Sequence, residues 1–330
     1  MSAVLKTARG EAGVELAEVD VPEPVPGFAR LRVIATGVCG TDIHIARDEY
    51  GYDAPVVMGH EILGEVDAVG DDADRHWVSR RVATETYFST CGRCDWCRDG
   101  RVNLCPNRRS IGSFENGGFA PYVVVPIGNL HGVAGESIGA VLAEPLACVA
   151  QCLCDPAVVN PGDEVLVVGP GAMGQLSAQV ARAQGGTVTL AGLPHDDGRL
   201  RVARELGFST TTQTPDAESF DVVLEASGSA PGAARALSAV RRAGRYVQVG
   251  IFGRDVALPI DAVLYKELTV TSGFASTPAS WRRALMLMEQ GLVELNPLVT
   301  ESVPLAEWER AFENIRAGNG IKTVIVPQVE

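Results

Sequence analysis

The chain of 330 residues has no excess of basic residues, no long apolar run and no dense cysteine pattern, and each lack argues against a class of function. Lys and Arg number 28 against 41 Asp and Glu, a formal net charge of −13, so a phosphate backbone or an anionic bilayer is repelled over most of the surface. No nucleic acid and no membrane partner is therefore expected. Gly, Pro or polar residues break every uncharged stretch before it reaches the roughly 20 apolar positions that span a bilayer. The N-terminal MSAVLKTARGEAGVEL lacks a hydrophobic signal core, and a cytoplasmic protein is expected. Eight cysteines are too few for a disulfide scaffold. There is no internal repeat, heptad pattern or low-complexity tract, so the organisation is read from changes of hydrophobic period.

What is present is globular: 46% apolar and 21% charged residues, with length for two domains. Up to about Val125 the apolar runs are short and β-rich, as in Ala29 to Ala35 and Ile62 to Val69, and Gly and Pro punctuate them. From Asn160 the pattern alternates strand and helix. Strands are expected at Glu164 to Val168, Thr187 to Ala191, Asp221 to Leu224, Tyr246 to Val249 and Leu268 to Thr271, with helices over Leu200 to Leu206 and Ala230 to Arg242 between them. The expected fold is α/β, a mostly β domain plus a doubly wound parallel sheet. After Gly273 two amphipathic helices, Ser280 to Gln290 and Leu305 to Arg316, precede a closing strand Lys322 to Val326.

Three motifs carry chemistry. Gly169-Pro170-Gly171-Ala172-Met173-Gly174 follows a strand and opens a helix, the setting in which free N–H groups at a helix start hold a pyrophosphate. No carboxylate stands about 20 residues on, where Gly192 leaves room, while His195, Asp196, Arg199 and Arg201 follow. A displaced Asp on the ribose or a base such as Arg199 on a 2′-phosphate both fit, so NAD and NADP stay open. Cys91, Cys94, Cys97 and Cys105 can close a tetrahedral thiolate shell around Zn²⁺, a structural site with no open position; an iron–sulfur cluster draws on a tighter run. Cys39, His44, His60 and Glu61 offer sulfur, nitrogen and oxygen donors of the kind that leave a zinc position open to substrate.

In their order along the chain, Cys39-Gly-Thr-Asp-x-His44, Gly59-His-Glu61, the four-cysteine segment, Glu144-Pro145, the glycine turn and Asp221-Val-Val-Leu-Glu-Ala-Ser-Gly228 resemble the zinc-dependent medium-chain dehydrogenases, in the sorbitol and threonine dehydrogenase-like branch. The resemblance implies a GroES-like catalytic domain over 1–147 and 277–330, with a zinc lobe at about 89–106, and a Rossmann domain over 148–276. It implies two zinc ions per subunit, one structural and one catalytic. Cys39 and His60 are then catalytic ligands, Glu61 is a third or a reserve ligand, and Glu144 ligates the ion or hydrogen-bonds its water. Asp42 orients the His60 ring, Thr41 takes the substrate proton and His44 passes it on. Ser227, Gly250, Ile251, Gly273 and Phe274 are then cofactor contacts. The implied reaction is hydride transfer between a secondary alcohol and NAD or NADP, giving a ketone, in a homodimer or homotetramer paired at sheet edges around Leu258 to Leu268. Sorbitol dehydrogenases carry an Arg-Tyr pair where this chain reads Gly273-Phe274-Ala275-Ser276, which points away from sorbitol itself. Ile45 and Ala46, with Tyr50 and Tyr52, are expected to frame a modest substrate pocket.

Overall fold

Alternating apolar residues along the strand Phe28–Gly37 (Ala29, Leu31, Val33, Ala35) put one face into a core, and much of the N-terminal half is assembled on it. The computed structural model describes residues 1–327. The chain divides into two compact units, one of Met1–Glu144 with the segment from Val299 onward, the other of Pro145–Leu298.

The first unit is mostly β. Its seven-stranded sheet runs Leu130–Gly132, Arg81–Thr84, Glu61–Val69, Phe28–Gly37, Lys322–Val326, Val299–Pro304, with Tyr122–Pro126 also paired to Phe28–Gly37. Gly37 faces Glu61 across one side of its strand and Val324 across the other. Register therefore sets the start of one strand, the end of a second and the middle of a third side by side. Glycine is needed there, because a Cβ on Gly37 would fall 2.0 Å from Glu61 Oε2. Just beyond, Cys39 precedes the helix Gly40–Ala46, and the Asp42 carboxylate accepts the Cys39 N–H at 2.8 Å. Ile43, Ile45 and Ala46 bury against Val4, Met58, Phe119 and Phe312. Ile45 and Ala46 are thus core, not pocket wall. Tyr52 points its hydroxyl at Asp48 and lies under the Lys6 ammonium, part of the brace that holds the N-terminal hairpin.

In the second unit a six-stranded sheet, parallel throughout, runs Ser209–Thr211, Thr187–Ala191, Glu164–Val168, Phe220–Glu225, Val240–Gln248, Thr269–Ser272. In chain order this is 3-2-1-4-5-6, the doubly wound arrangement with its reversal beside the first strand. The helix expected over 230–242 ends at Ala239, because Val240 turns to extended backbone (ψ 133°) and already belongs to the next strand. Arg241 and Arg245 then find carboxylate partners, Asp221 and Asp163, from that strand. Residues 277–298, expected with the first unit, group with the second. Trp281 of the helix Pro278–Glu289 is fully buried with its Nε1 donating to Ser276, Thr277 donates to Gln151, and Gln179 accepts from Glu294 N–H. Among the described residues no helix is long and apolar enough to cross a membrane.

Candidate active site

At the convergence of strand ends in the first unit, Cys39, His60 and Glu61 each bring a donor atom within 4.8 Å of the others. The set of sulfur, nitrogen and oxygen suits zinc. His60 and Glu61 are buried, and so is Asp42, whose Oδ1 lacks a hydrogen-bond partner and lies 3.5 Å from His60 Nδ1. An orphaned carboxylate oxygen beside a ligand imidazole is the outer partner through which metal-binding histidines are oriented. Burial opposes a charge on His60, yet Asp42 and then Cys39 raise its pKa well above the ordinary histidine range. A pocket whose anions draw a proton onto a buried imidazole attracts a metal cation by the same field, so the residues fit the ion.

One member of the site was not foreseen as such. Lys322, at the start of the closing strand, sets its ammonium 2.7 Å from both Glu61 oxygens and 3.1 Å from the Val38 carbonyl oxygen, with Lys322 and Glu61 side chains 5% and 1% exposed. Burial works against its charge, but Glu61, then Cys39, hold its pKa above the usual lysine value. Its three N–H donors are matched by three oxygens. A buried lysine on a mostly apolar strand, Lys322-Thr323-Val324-Ile325-Val326, was the available signal.

The other expected residues take distinct places. The Cys39 thiol lies 3.6 Å from Thr41 Oγ1. His44, on the same short helix, is half-exposed and engages Glu49 through Nδ1 at 2.7 Å. Glu144 is buried and accepts a hydrogen bond from Thr86 Oγ1 at 2.7 Å; it stands outside the trio of clustered donors. Thr86, which carries no motif, was not foreseen.

The four sulfurs of Cys91, Cys94, Cys97 and Cys105 also lie within 4.8 Å of one another, Cys91 and Cys97 at 4.0 Å, and none is in a disulfide. The backbone N–H groups of Arg93 and Cys94 bring the Cys91 thiol down to about 6. Crowded sulfurs on a loop with only the four-residue helix Asp95–Arg98 and the 3-10 turn Val102–Leu104 fit a tetrahedral ion that substitutes for a core.

In the second unit the glycine turn forms a cradle. Gly169 has φ 102° and packs on Ser227, where a Cβ would sit 2.7 Å from backbone atoms. At Gly174 a Cβ would lie 1.8 Å from the Gly169 carbonyl oxygen, whereas beside Gly171, which caps the helix Ala172–Ala183, there is open space. The geometry leaves room for a pyrophosphate at that helix start. Gly192 is packed on Pro170 of the turn. Asp196 accepts the Leu193 N–H at 2.8 Å through one oxygen and faces Arg199 at 3.3 Å through the other, so carboxylate and guanidinium brace their own turn. Arg201, largely exposed, is 4.0 Å from Glu205. Ile251 and Phe274 are exposed, while Gly273 lies against the backbone of Cys152, whose thiol donates to the Gly273 carbonyl oxygen.

Comparison with known proteins accords with this arrangement. Residues 25–135 match the alcohol dehydrogenase GroES-like domain and residues 172–290 the zinc-binding dehydrogenase family. The sorbitol dehydrogenase of Halalkalibacterium halodurans is 37% identical across 99% of each chain. The D-arabitol-phosphate dehydrogenase of Enterococcus avium is 32% identical across 98% of this chain and 97% of its own. A crystal structure from Sinorhizobium meliloti, assigned as a zinc-binding dehydrogenase and bound to NADP, superposes with a TM-score of 0.87 at 29% identity over 99% of each chain. Both halves of the chain and its near-complete overlap with these relatives place it in the zinc-dependent medium-chain dehydrogenases, in their polyol branch, as an oxidoreductase of alcohol CH–OH groups.

Proposed function

We propose that the chain oxidises a secondary alcohol of the polyol, cyclitol or sugar-alcohol class to a ketone, reversibly, with Cys39, His60 and Glu61 holding a catalytic zinc and Cys91, Cys94, Cys97 and Cys105 a structural one. The observation that carries this is the cluster of half-buried Cys39 with buried His60 and Glu61, with Asp42 behind the imidazole. When bound, the zinc would acidify the substrate hydroxyl and the nicotinamide would accept the hydride. The chain's own residues do the rest. Asp42 fixes the His60 ring, Thr41 beside Cys39 takes the hydroxyl proton, and His44, steadied by Glu49, hands it to water. Glu144, anchored by Thr86, is available to a water in the site.

The test is a panel of polyols, cyclitols, threonine and 2-alkanols, read by reduced-nicotinamide absorbance with NAD and NADP in parallel. Turnover confined to threonine would move the chain to the amino-alcohol dehydrogenases. Absence of all turnover with two zinc ions and cofactor bound would make it a silent binding protein.

The cofactor pair is expected to be poorly separated. No carboxylate at residues 190–193 meets the ribose or repels a 2′-phosphate, and Asp196 and Arg199 neutralise one another. Fluorescence titration should give Kd values for NADH and NADPH within about tenfold, or about 1.4 kcal/mol; a ratio above a hundred would show that a charged group reaches the ribose after all.

A second copy of the chain is the proposed partner of the sheet edge. The terminal strand Thr269–Ser272 exposes Val270, and Ile260, Leu264 and Tyr265 nearby are 64%, 73% and 71% exposed. The double variant Leu264→Glu, Val270→Lys should sediment at a lower mass than the unaltered protein while binding NADH; an unchanged mass distribution would place the interface elsewhere.

A further inference from the structure

Glu225 is fully buried at the carboxyl end of the strand Phe220–Glu225, and no step above uses it. Its carboxylate is saturated. Oε1 accepts from the Ser227 N–H at 2.9 Å and from the Ser227 hydroxyl, while Oε2 accepts from the Gly228 N–H at 3.2 Å and from Gln248 Nε2 at 2.8 Å. Its carbonyl oxygen accepts the N–H groups of both Val249 and Gly250 at 2.8 Å. Gln248 in turn donates to the Gly250 carbonyl oxygen at 2.7 Å and accepts from Tyr246. One side chain thus ties together two loops that follow adjacent strands, 225–229 and 248–251.

Those loops are pressed against each other and against the glycine turn. A Cβ on Gly250 would lie 2.4 Å from the Gly228 nitrogen, one on Gly228 would lie 2.4 Å from the Ile251 carbonyl oxygen, and Gly169 already touches Ser227. A dinucleotide on a doubly wound sheet lies across the carboxyl ends of the strands, with its pyrophosphate at the first turn and its adenosine toward the second strand. Here the second strand ends at Ala191, just before Gly192, and the loops that Glu225 fastens lie on the opposite side of the first strand. They are where the nicotinamide half falls.

We propose that Glu225 is the positioning residue of the nicotinamide half of the cofactor site, setting the loops 225–229 and 248–251 in one register while leaving the adenosine half untouched. The proposal rests on dinucleotide binding at the glycine turn. A buried carboxylate suits the task because four donors converge on it: an amide would turn an NH₂ toward N–H groups, and the shorter Asp would leave donors unmet. A purely structural role would weaken every ligand of the sheet together. A positioning role divides them.

The experiment uses the full-length protein with Glu225→Gln, titrated with NADH by nicotinamide fluorescence and with ADP-ribose by calorimetry. The expected result is an increase of about tenfold or more in the NADH Kd, with the emission of the bound nicotinamide moving toward that of free NADH. The ADP-ribose Kd should stay within twofold. Equal losses for both ligands, or an unchanged NADH Kd in a folded variant, would overturn the proposal. Should Glu225→Gln fail to fold, Gln248→Met removes one donor of the same network, and the split in the same direction at about threefold or more decides the matter. Unaltered protein that binds neither NADH nor ADP-ribose would instead refute the dinucleotide reading beneath it.

Discussion

Cys39→Ser is expected to cut alcohol turnover by about a thousandfold or more, leaving the Kd for NADH within twofold and the metal content one atom per subunit lower. The size of the effect follows from the donor set. Cys39 supplies the sulfur in a cluster whose other two members are one imidazole and one carboxylate, and that carboxylate is already held by Lys322. Removing the thiolate leaves His60 and a neutralised Glu61, too few donors to keep a divalent cation at low concentration. The dinucleotide turn belongs to the other unit, so its affinity has no reason to fall. Elemental analysis beside NADH titration checks both halves of the expectation. Equal metal content in variant and parent, with turnover retained, would mean that Cys39 is an ordinary half-buried thiol. The four-cysteine lobe serves as an internal reference, since an ion there would be held by residues 91–105 alone and should be retained in the variant.

The parts of the fold that could be read from the sequence are those whose causes are local. Gly169 to Gly174 needs a strand before it, a helix after it and glycines where side chains would collide, and all of that is contiguous. The Cys-x-x-Cys-x-x-Cys spacing likewise announces its own geometry. Cys39 and His60 show a zinc-type donor set by residue type, but their spacing does not bring them together, because sheet register sets Gly37 opposite Glu61. The partners that stayed hidden are the non-local ones. Lys322 lies 261 residues from Glu61, and Thr86 lies 58 from Glu144. A lysine in an apolar strand shows that some buried anion must exist, but nothing nearby says which. The end of the helix at Ala239 was misplaced for a related reason. Val240 to Arg242 carry no Gly or Pro to mark the break, and the strand they join is fixed by pairing with Phe220–Glu225. The helix Pro278–Glu289 has a clear start at Thr277-Pro278, yet its amphipathic pattern cannot say which unit its Trp281 face will bury against.

Lys322→Met should show a stability loss that zinc repairs. In the metal-free protein the lysine satisfies both Glu61 oxygens in a site closed to water, so its removal leaves a buried carboxylate without a counter-charge. Breaking a buried ion pair in this way costs about 3–5 kcal/mol. For a unit of this size each kcal/mol lowers Tm by about 2–4 °C, so a fall of roughly 6–20 °C is expected in the transition of the first unit when a chelator is present. The same change frees Glu61. With the ammonium gone, the carboxylate is available to the cation as a full donor beside Cys39 and His60, and zinc should raise the Tm of the variant more than that of the parent. A cobalt-substituted sample gives the complementary reading, since an added oxygen donor changes the visible absorption of the ion while the thiolate charge-transfer band persists. Turnover is expected to fall as well, because a site with one more bound anion and one fewer neighbouring cation acidifies an alcohol less strongly. Thermal unfolding of parent and variant, each with chelator and with zinc, separates this role from simple packing. If the loss in Tm were the same in both conditions, Lys322 would be a structural counter-ion alone. If zinc closed the gap, Lys322 would be the group that decides how much of Glu61 the metal receives.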